Sequence, residues 1–482
     1  MKRRDFLGSI SCAALGSIGV TSTLLNLKMV NNAVAAPPAG AGDYRALVCV
    51  FLHGGNDSYN MLVPTATSEY NNYSLIRSNL ALPAPGSTDP EPLLPLVVNN
   101  TPGRTFGVHG AMPHLQTRFN EGNAAFVANV GTLVEPTSIA DINSGQANLP
   151  RALFSHNDQR KTWQTSVAQT NFKTGWAGRL ADRVMVNNAS SGVSMNISLE
   201  GNQIMLSGES SFPYSISEIG AARLTGSGSS GSEDIARVQA SKNLVEETQR
   251  NILMRAFAEE KKSSYDSADL FAAAFESVNL STSFGNTNLA RHLKAVATTL
   301  AARDTLGQKR QIFFVSKGGF DNHAELLNAQ SSLLTDVDSS LNEFWNALVE
   351  LGLEDEVTVF TCSDFGRTIR SNGLGTDHAW GGHSIVMGGT VNDGRTSPPS
   401  GGEINGSAIY GSYPDPSQMT IGAGLDFGTN GRYVPTTSVD EYFAELALWF
   451  GLPPGELENV FPNLGNFYTY SSTTPPLGFI LG

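Results

Sequence analysis

Carboxylate and imidazole side chains gather in three short glycine-containing stretches. These are Leu52-His53-Gly-Gly-Asn-Asp57, Lys317-Gly-Gly-Phe-Asp321-Asn-His323, and Ser363-Asp364-Phe-Gly-Arg367, the last followed by Asp377-His378 and His383. The chain has eight histidines, and five of them (His53, His156, His323, His378 and His383) lie in these stretches or beside Ser155. A single histidine is more often structural than catalytic; the joint pattern is what points to a site. Oxygen and imidazole donors together suit Zn, Mn, Fe or a mixed divalent centre. Two such cations a few Å apart activate a nucleophile and stabilise an oxyanion in phosphoryl or sulfuryl transfer.

Two further residues carry a functional and a structural reading side by side. Ser155, followed by His156 and a helical run, sits either as a helix N-cap or as a hydroxyl nucleophile at a helix N-terminus, where the dipole favours an anion. Arg367 can fork onto a bound oxyanion or pair with a neighbouring acid. Lys317 has the same two readings.

These residues need elements that bring them together. Ala46–Leu52, Ala124–Val130, Gln311–Val315 and Val357–Thr361 are unalternating apolar runs, as expected of strands buried on both faces. The helical stretch 111–121 precedes the second run, and this strand–helix–strand order argues for an α/β fold with a mostly parallel central sheet. In such a sheet ligands bind beyond the carboxyl ends of the strands, so the three loops can converge there. Residues 327–351 form a long amphipathic helix. Its Asp336 and Asp338 lack the glycine of a calcium loop and are expected on a solvated face. Ser438-Val-Asp-Glu441 reads as a capping box for a final helix.

Residues 233–304 are helical in pattern, and a helical insertion or lid is expected within 207–304. The run TGSGSSGSED (225–234) contains G-x-G-x-x-G, but no clear buried strand precedes it, so it reads as a loop or insertion boundary rather than a dinucleotide site.

The N-terminus begins MKRRDFLGSI, and Arg3-Arg4 with Asp5, Phe6 and Leu7 resembles a twin-arginine export signal. Ala33-Val34-Ala35 fits a small-residue cleavage site, which predicts a signal peptide over 1–35 and a periplasmic or secreted protein delivered by the twin-arginine machinery. The apolar run there is too short and too rich in Gly and Ser for a membrane span. Removing 1–35 leaves 27 basic and 43 acidic residues, a net charge of −16. So acidic a chain argues against nucleic-acid binding, which needs clustered Lys and Arg; an anionic substrate would need a local positive centre such as a metal ion. Cys49 and Cys362 lie in strand-like runs as buried free thiols or one disulfide, the former being the expectation.

The ordered set Arg3-Arg4, LHGGNDSYN, SHNDQRKTWQT, GGFDNH, SDFGRT and TDHAWGGH resembles the bacterial, twin-arginine-exported family catalogued as domain of unknown function 1501. That family is similar in fold to the alkaline phosphatase and sulfatase superfamily. The resemblance implies a three-layer α/β/α domain over 36–482 and one or two divalent ions (Zn, Mn, Ca or Fe). It implies Asp57, Asp321, His323, Asp364 and either His383 or His378 as metal ligands and a small anionic ester as substrate, and leaves the nucleophile open, with Ser155 the candidate. His383 is expected at the regular position and His378 as a substitute. The sequence departs from the superfamily at Phe365, where a ligating histidine is usual, and in the two-residue spacing of Asp321 and His323. His378, His156 or another donor would have to fill the gap. A catalytically degenerate binding or assembly protein of the same fold is therefore the alternative. The sulfatase signature is absent, and so is the G-x-S-x-G elbow of a serine esterase.

Overall fold

The computed structural model describes residues 44–470 and 474–480, apart from 189–190, 223, 225–226, 228–229, 247–250, 395–405 and 416. The expected signal peptide and two glycines of the G-x-G-x-x-G run, Gly226 and Gly228, lie outside the described residues.

The apolar runs build one large sheet. Its strands are β1 (Arg45–Leu52), β2 (Ala124–Gly131), β3 (Asn196–Ser198), β4 (Tyr214–Ser217), β5 (Gly220–Ala221), β6 (Arg310–Lys317), β7 (Val357–Ser363), β8 (Gly382–Met387), β9 (Ile409–Gly411) and β10 (Thr437–Ser438). They lie in the order β9-β2-β8-β7-β1-β6-β3-β4-β5, with β10 paired to β2. The sheet is mixed: β8 runs antiparallel to both its neighbours and β5 antiparallel to β4. The remaining pairs are parallel.

Register decides what this sheet can position. β1 sits between β7 and β6, and its last residue, Leu52, is level with Ser363 on one side and Lys317 on the other. The three ligand-bearing loops therefore start at one height on one edge of the sheet.

Both faces of β1 are covered, which explains why its sequence does not alternate. Ala46, Val48, Val50 and Leu52 pack toward Leu293 and Leu300 of helix Asn288–Ala301, Val337 and Phe344 of helix Leu326–Leu351, and Phe119 of helix Pro113–Glu121. Leu47, Cys49 and Phe51 face Leu180 of helix Trp176–Val184 and Phe443 of helix Val439–Phe450. The result is a three-layer α/β/α sandwich. Cys49 and Cys362 are buried free thiols on the second face.

One expectation for the long helix fails. Asp338 is buried rather than solvated, because it caps helix Pro113–Glu121 by accepting from the backbone N–H groups of Leu115 at 2.7 Å and His114 at 3.1 Å. Asp336 pairs with Lys317. Within 232–301 the helices differ in burial, and Ile252–Glu276 joins the main core through Phe271 and Ala274. Helix Ser232–Glu246 buries none of its residues, whereas Asn288–Ala301 belongs to the main core. Among the described residues no helix is long and apolar enough to cross a membrane.

Candidate functional site

Glycine brings the loops into contact. Gly54 has φ +115° and its missing Cβ would lie 2.4 Å from the Asp321 nitrogen, so only glycine lets the first loop touch the second. Gly55, at φ +82°, leaves room for the Phe365 ring, which a Cβ would strike at 2.7 Å. Backbone hydrogen bonds then tie the loops, from His53 N to Lys317 O at 2.9 Å and from Phe320 N to His53 O at 3.1 Å.

Arg367 completes the clamp. Its guanidinium donates from Nε to Gly55 O at 2.9 Å, from Nη1 to Thr376 O at 2.9 Å and from Nη2 to Gly54 O at 2.7 Å. Nη2 also binds Asp321 Oδ1. The side chain is fully buried. Arg367 therefore takes the second of its two readings: it pairs with an acid and holds three loops, and offers no free fork to an oxyanion.

The carboxylate and imidazole groups converge around Asp321. His323 Nε2 and His378 Nε2 are 3.1 Å apart, and they lie 3.1 and 3.3 Å from Asp321 Oδ1. His156 Nε2 stands 3.4 Å from Asp321 Oδ2. Bonds of ~2.0–2.1 Å in tetrahedral geometry place donor atoms roughly 3.3 Å apart, which these separations match. His156, Asp321 and His378 offer donor atoms all within 4.8 Å of one another. On its other side, His156 Nδ1 meets Asp364 Oδ2 at 2.6 Å, and Asp364 Oδ1 faces His53 Nδ1 at 3.8 Å. Asp364 Oδ1, His53 Nδ1 and His156 Nε2 are buried without a hydrogen-bond partner among the described residues. Buried polar atoms are seldom left so, and the donor set fits a divalent cation.

The electrostatics agree. Burial pushes the Asp321 carboxyl up, but the hydrogen bond and charge of Arg367, helped by His156 and His323, outweigh it and hold the group below its ordinary value. Asp377, which bonds His323 Nδ1 at 3.2 Å, is likewise held low, chiefly by Asn372. Burial lowers His378 and keeps its imidazole neutral, the form that ligates.

Phe365 is not a vacant ligand position. Its ring lies 4.8 Å from that of His156 and 4.6 Å from that of His378, which are themselves 4.4 Å apart, so it packs as an apolar neighbour against both imidazoles.

Two expected ligands are not brought to this cluster. Asp57 is buried against Arg77, whose Nη2 is 2.7 Å from Asp57 Oδ2, and it also accepts from Thr376 Oγ1 at 3.1 Å. Arg77 goes on to Thr368 O and Ile369 O, so this pair locks the first loop to the third. His383 points into an aromatic pocket. Its Nδ1 accepts from Asn129 N at 3.0 Å, its ring stacks on Tyr413, and burial lowers its pKa to about 3. His378, the expected substitute, is the one in the cluster. Ser155 is an N-cap whose hydroxyl donates to Asp158 Oδ2 at 2.7 Å rather than to an imidazole. His156, expected as one possible donor at the Phe365 gap, does reach the cluster, and His53, at the head of the first loop, faces Asp364 beside it.

A mixed α/β/α sandwich with a His/Asp donor cluster at its strand ends is the class this fold and site define. Residues 44–402 match the family model described as "Protein of unknown function (DUF1501)", and the chain belongs to that family. No curated protein sequence matches it. It is similar to the solved lipoteichoic acid synthase LtaP from Listeria monocytogenes at 10% identity and TM-score 0.29, over 75% of this chain and 71% of that one. Ps i-CgsB in complex with k-i-k-neocarrahexaose gives 8% identity and TM-score 0.32 over 85% and 72%. The TAB5 alkaline phosphatase mutant His 135 Asp with Mg bound gives 8% and 0.25 over 71% and 90%. Overlays this loose bear on neither the site nor the activity.

Proposed function

We propose that the protein is an exported, metal-dependent hydrolase of phosphate or sulfate esters. The observation that carries this reading is the triangle of His323 Nε2, His378 Nε2 and Asp321 Oδ1 at 3.1–3.3 Å, with His156 on the other carboxylate oxygen. These residues would hold a divalent cation, with Asp364 and His53 supporting His156. When bound, such an ion supplies Lewis acidity toward an ester oxygen.

The chain's own groups would do the rest. Ser155 presents a hydroxyl whose proton already points to the Asp158 carboxylate, the arrangement of a hydroxyl poised beside a base. Arg160, one helical turn beyond His156, lies 3.7 Å from Asp364 and is partly exposed, so it can meet an anionic ester where Arg367 cannot. Phe365 packs against both His156 and His378 and gives the pair an apolar side.

A binding or assembly protein that retains the metal is the second reading, favoured by the Arg367 contact on Asp321 Oδ1, which already balances much of that carboxylate's charge. Turnover of aryl phosphates and aryl sulfates separates the two. The hydrolase reading expects turnover that Asp321→Asn abolishes and Ser155→Ala lowers at least ~100-fold. Metal without turnover on either ester class would leave the binding protein.

A further inference from the structure

His378 can join the cluster through Nε2 only if its single ring proton sits on Nδ1. His378 Nδ1 lies 2.8 Å from the carbonyl oxygen of Phe154, which can only accept. That carbonyl is aimed by an unusual backbone: Phe154 has φ +72° in the left-handed region that bulky residues avoid. Strain of this kind persists where the surroundings over-determine it, and here they do. The Phe154 ring lies under the Arg432 guanidinium, with Cζ 4.9 Å from the ring centroid, and against Phe427 at 6.1 Å. Arg432 also donates from Nε to the His378 carbonyl at 3.0 Å. It thus grips both the residue that gives the carbonyl and the residue that receives it.

Arg432 is itself fixed. The buried Asp426 carboxylate accepts from Arg432 N and Gly431 N, each at 2.9 Å, and from Gly422 N at 2.7 Å. The strained turn at 154, the ligand at 378 and the loop at 422–432 therefore act as one unit, although they come from separate parts of the chain.

We propose that Arg432 and Phe154 are positioning residues that lock His378 in the Nδ1–H tautomer and so aim its Nε2 lone pair at Asp321 and His323. A hydrogen bond to the far ring nitrogen fixes both the tautomer and the ring orientation of a metal-ligating histidine, and its loss typically weakens metal binding. The purpose of this unit rests on the metal-centre reading; its existence does not.

The test begins with metal-free, 15N-histidine-labelled protein at mildly alkaline pH, with His378 assigned by comparison with His378→Gln. Long-range 1H–15N correlation is expected to show His378 as the Nδ1–H tautomer alone. Arg432→Ala is expected to give a tautomer mixture and a Zn affinity weakened roughly 10- to 100-fold, with Arg432→Lys recovering part of both. If Arg432→Ala does not fold, Phe154→Leu, which keeps the carbonyl and removes the ring, is read in the same way. An Nε2–H tautomer in the wild type would overturn the proposal. So would an Arg432→Ala protein with tautomer and Zn affinity unchanged. A wild type that shows Nδ1–H but binds no Zn would uphold the positioning and defeat the metal reading, so the two failures are distinguishable.

Discussion

Asp57 shows how far a residue's role depends on its side chain's direction. The string HGGND puts it on the same loop as His53, and a ligand role follows naturally from the letters. The fold turns its carboxylate toward Arg77, and both side chains are essentially inaccessible. Removing one partner of a buried pair leaves the other charge uncompensated, so Asp57→Ala is expected to destabilise the fold by ~3–5 kcal/mol. Denaturant titration measures this, and bound metal per folded chain should stay at the wild-type level. A loss of metal with stability intact would return Asp57 to the site. The same distinction separates His378 from His383. Both stand in one glycine-rich stretch, and only packing reveals that His383 is enclosed by Tyr59 and Tyr413. Phe365 could be read from the sequence as unable to ligate; that its ring packs against both His156 and His378 could not.

At the scale of elements, the strand ends were the most legible feature. Unbroken apolar runs announce strands buried on both faces, and each ends at a glycine beside a potential ligand. What the letters do not contain is register, and register makes the site: Leu52 level with Ser363 and Lys317 sets the three loops side by side. The antiparallel run of β8 is likewise invisible in the letters, since composition carries no strand direction. His156 reaches the site from a helix five strands earlier in the chain, so its partner Asp364, 208 residues on, has no local signature. The loop contact makes a sharp prediction. Gly54→Ala places a Cβ against the Asp321 backbone at a φ that alanine resists. It is expected to cost ~1–3 kcal/mol of stability and to weaken metal binding, both read by thermal denaturation with and without Zn. An unchanged midpoint and affinity would mean that the two loops are not in contact.

At the scale of the whole molecule, one buried acid should set part of the pH response. Burial raises Asp440 from its ordinary 3.8 to about 7, against the lowering effects of Ser166 and Arg179. The folded protein then holds a proton that the unfolded chain has released. Its stabilising contribution is complete below about 3.8 and is lost as pH rises through about 7. Asp440→Asn is expected to flatten the stability–pH curve across that window, and an unaltered slope in denaturant titrations would refute the assignment. The function proposed for the whole molecule depends on the His/Asp cluster holding a metal ion. Elemental analysis of protein purified without a histidine tag or chelator tests it most directly. The expected result is roughly one divalent ion or more per chain, absent from Asp321→Asn and His378→Ala, with a clear fall in thermal midpoint when a chelator removes it from the wild type. Less than about 0.2 ion per chain, with a midpoint indifferent to both Zn and chelator, would contradict it.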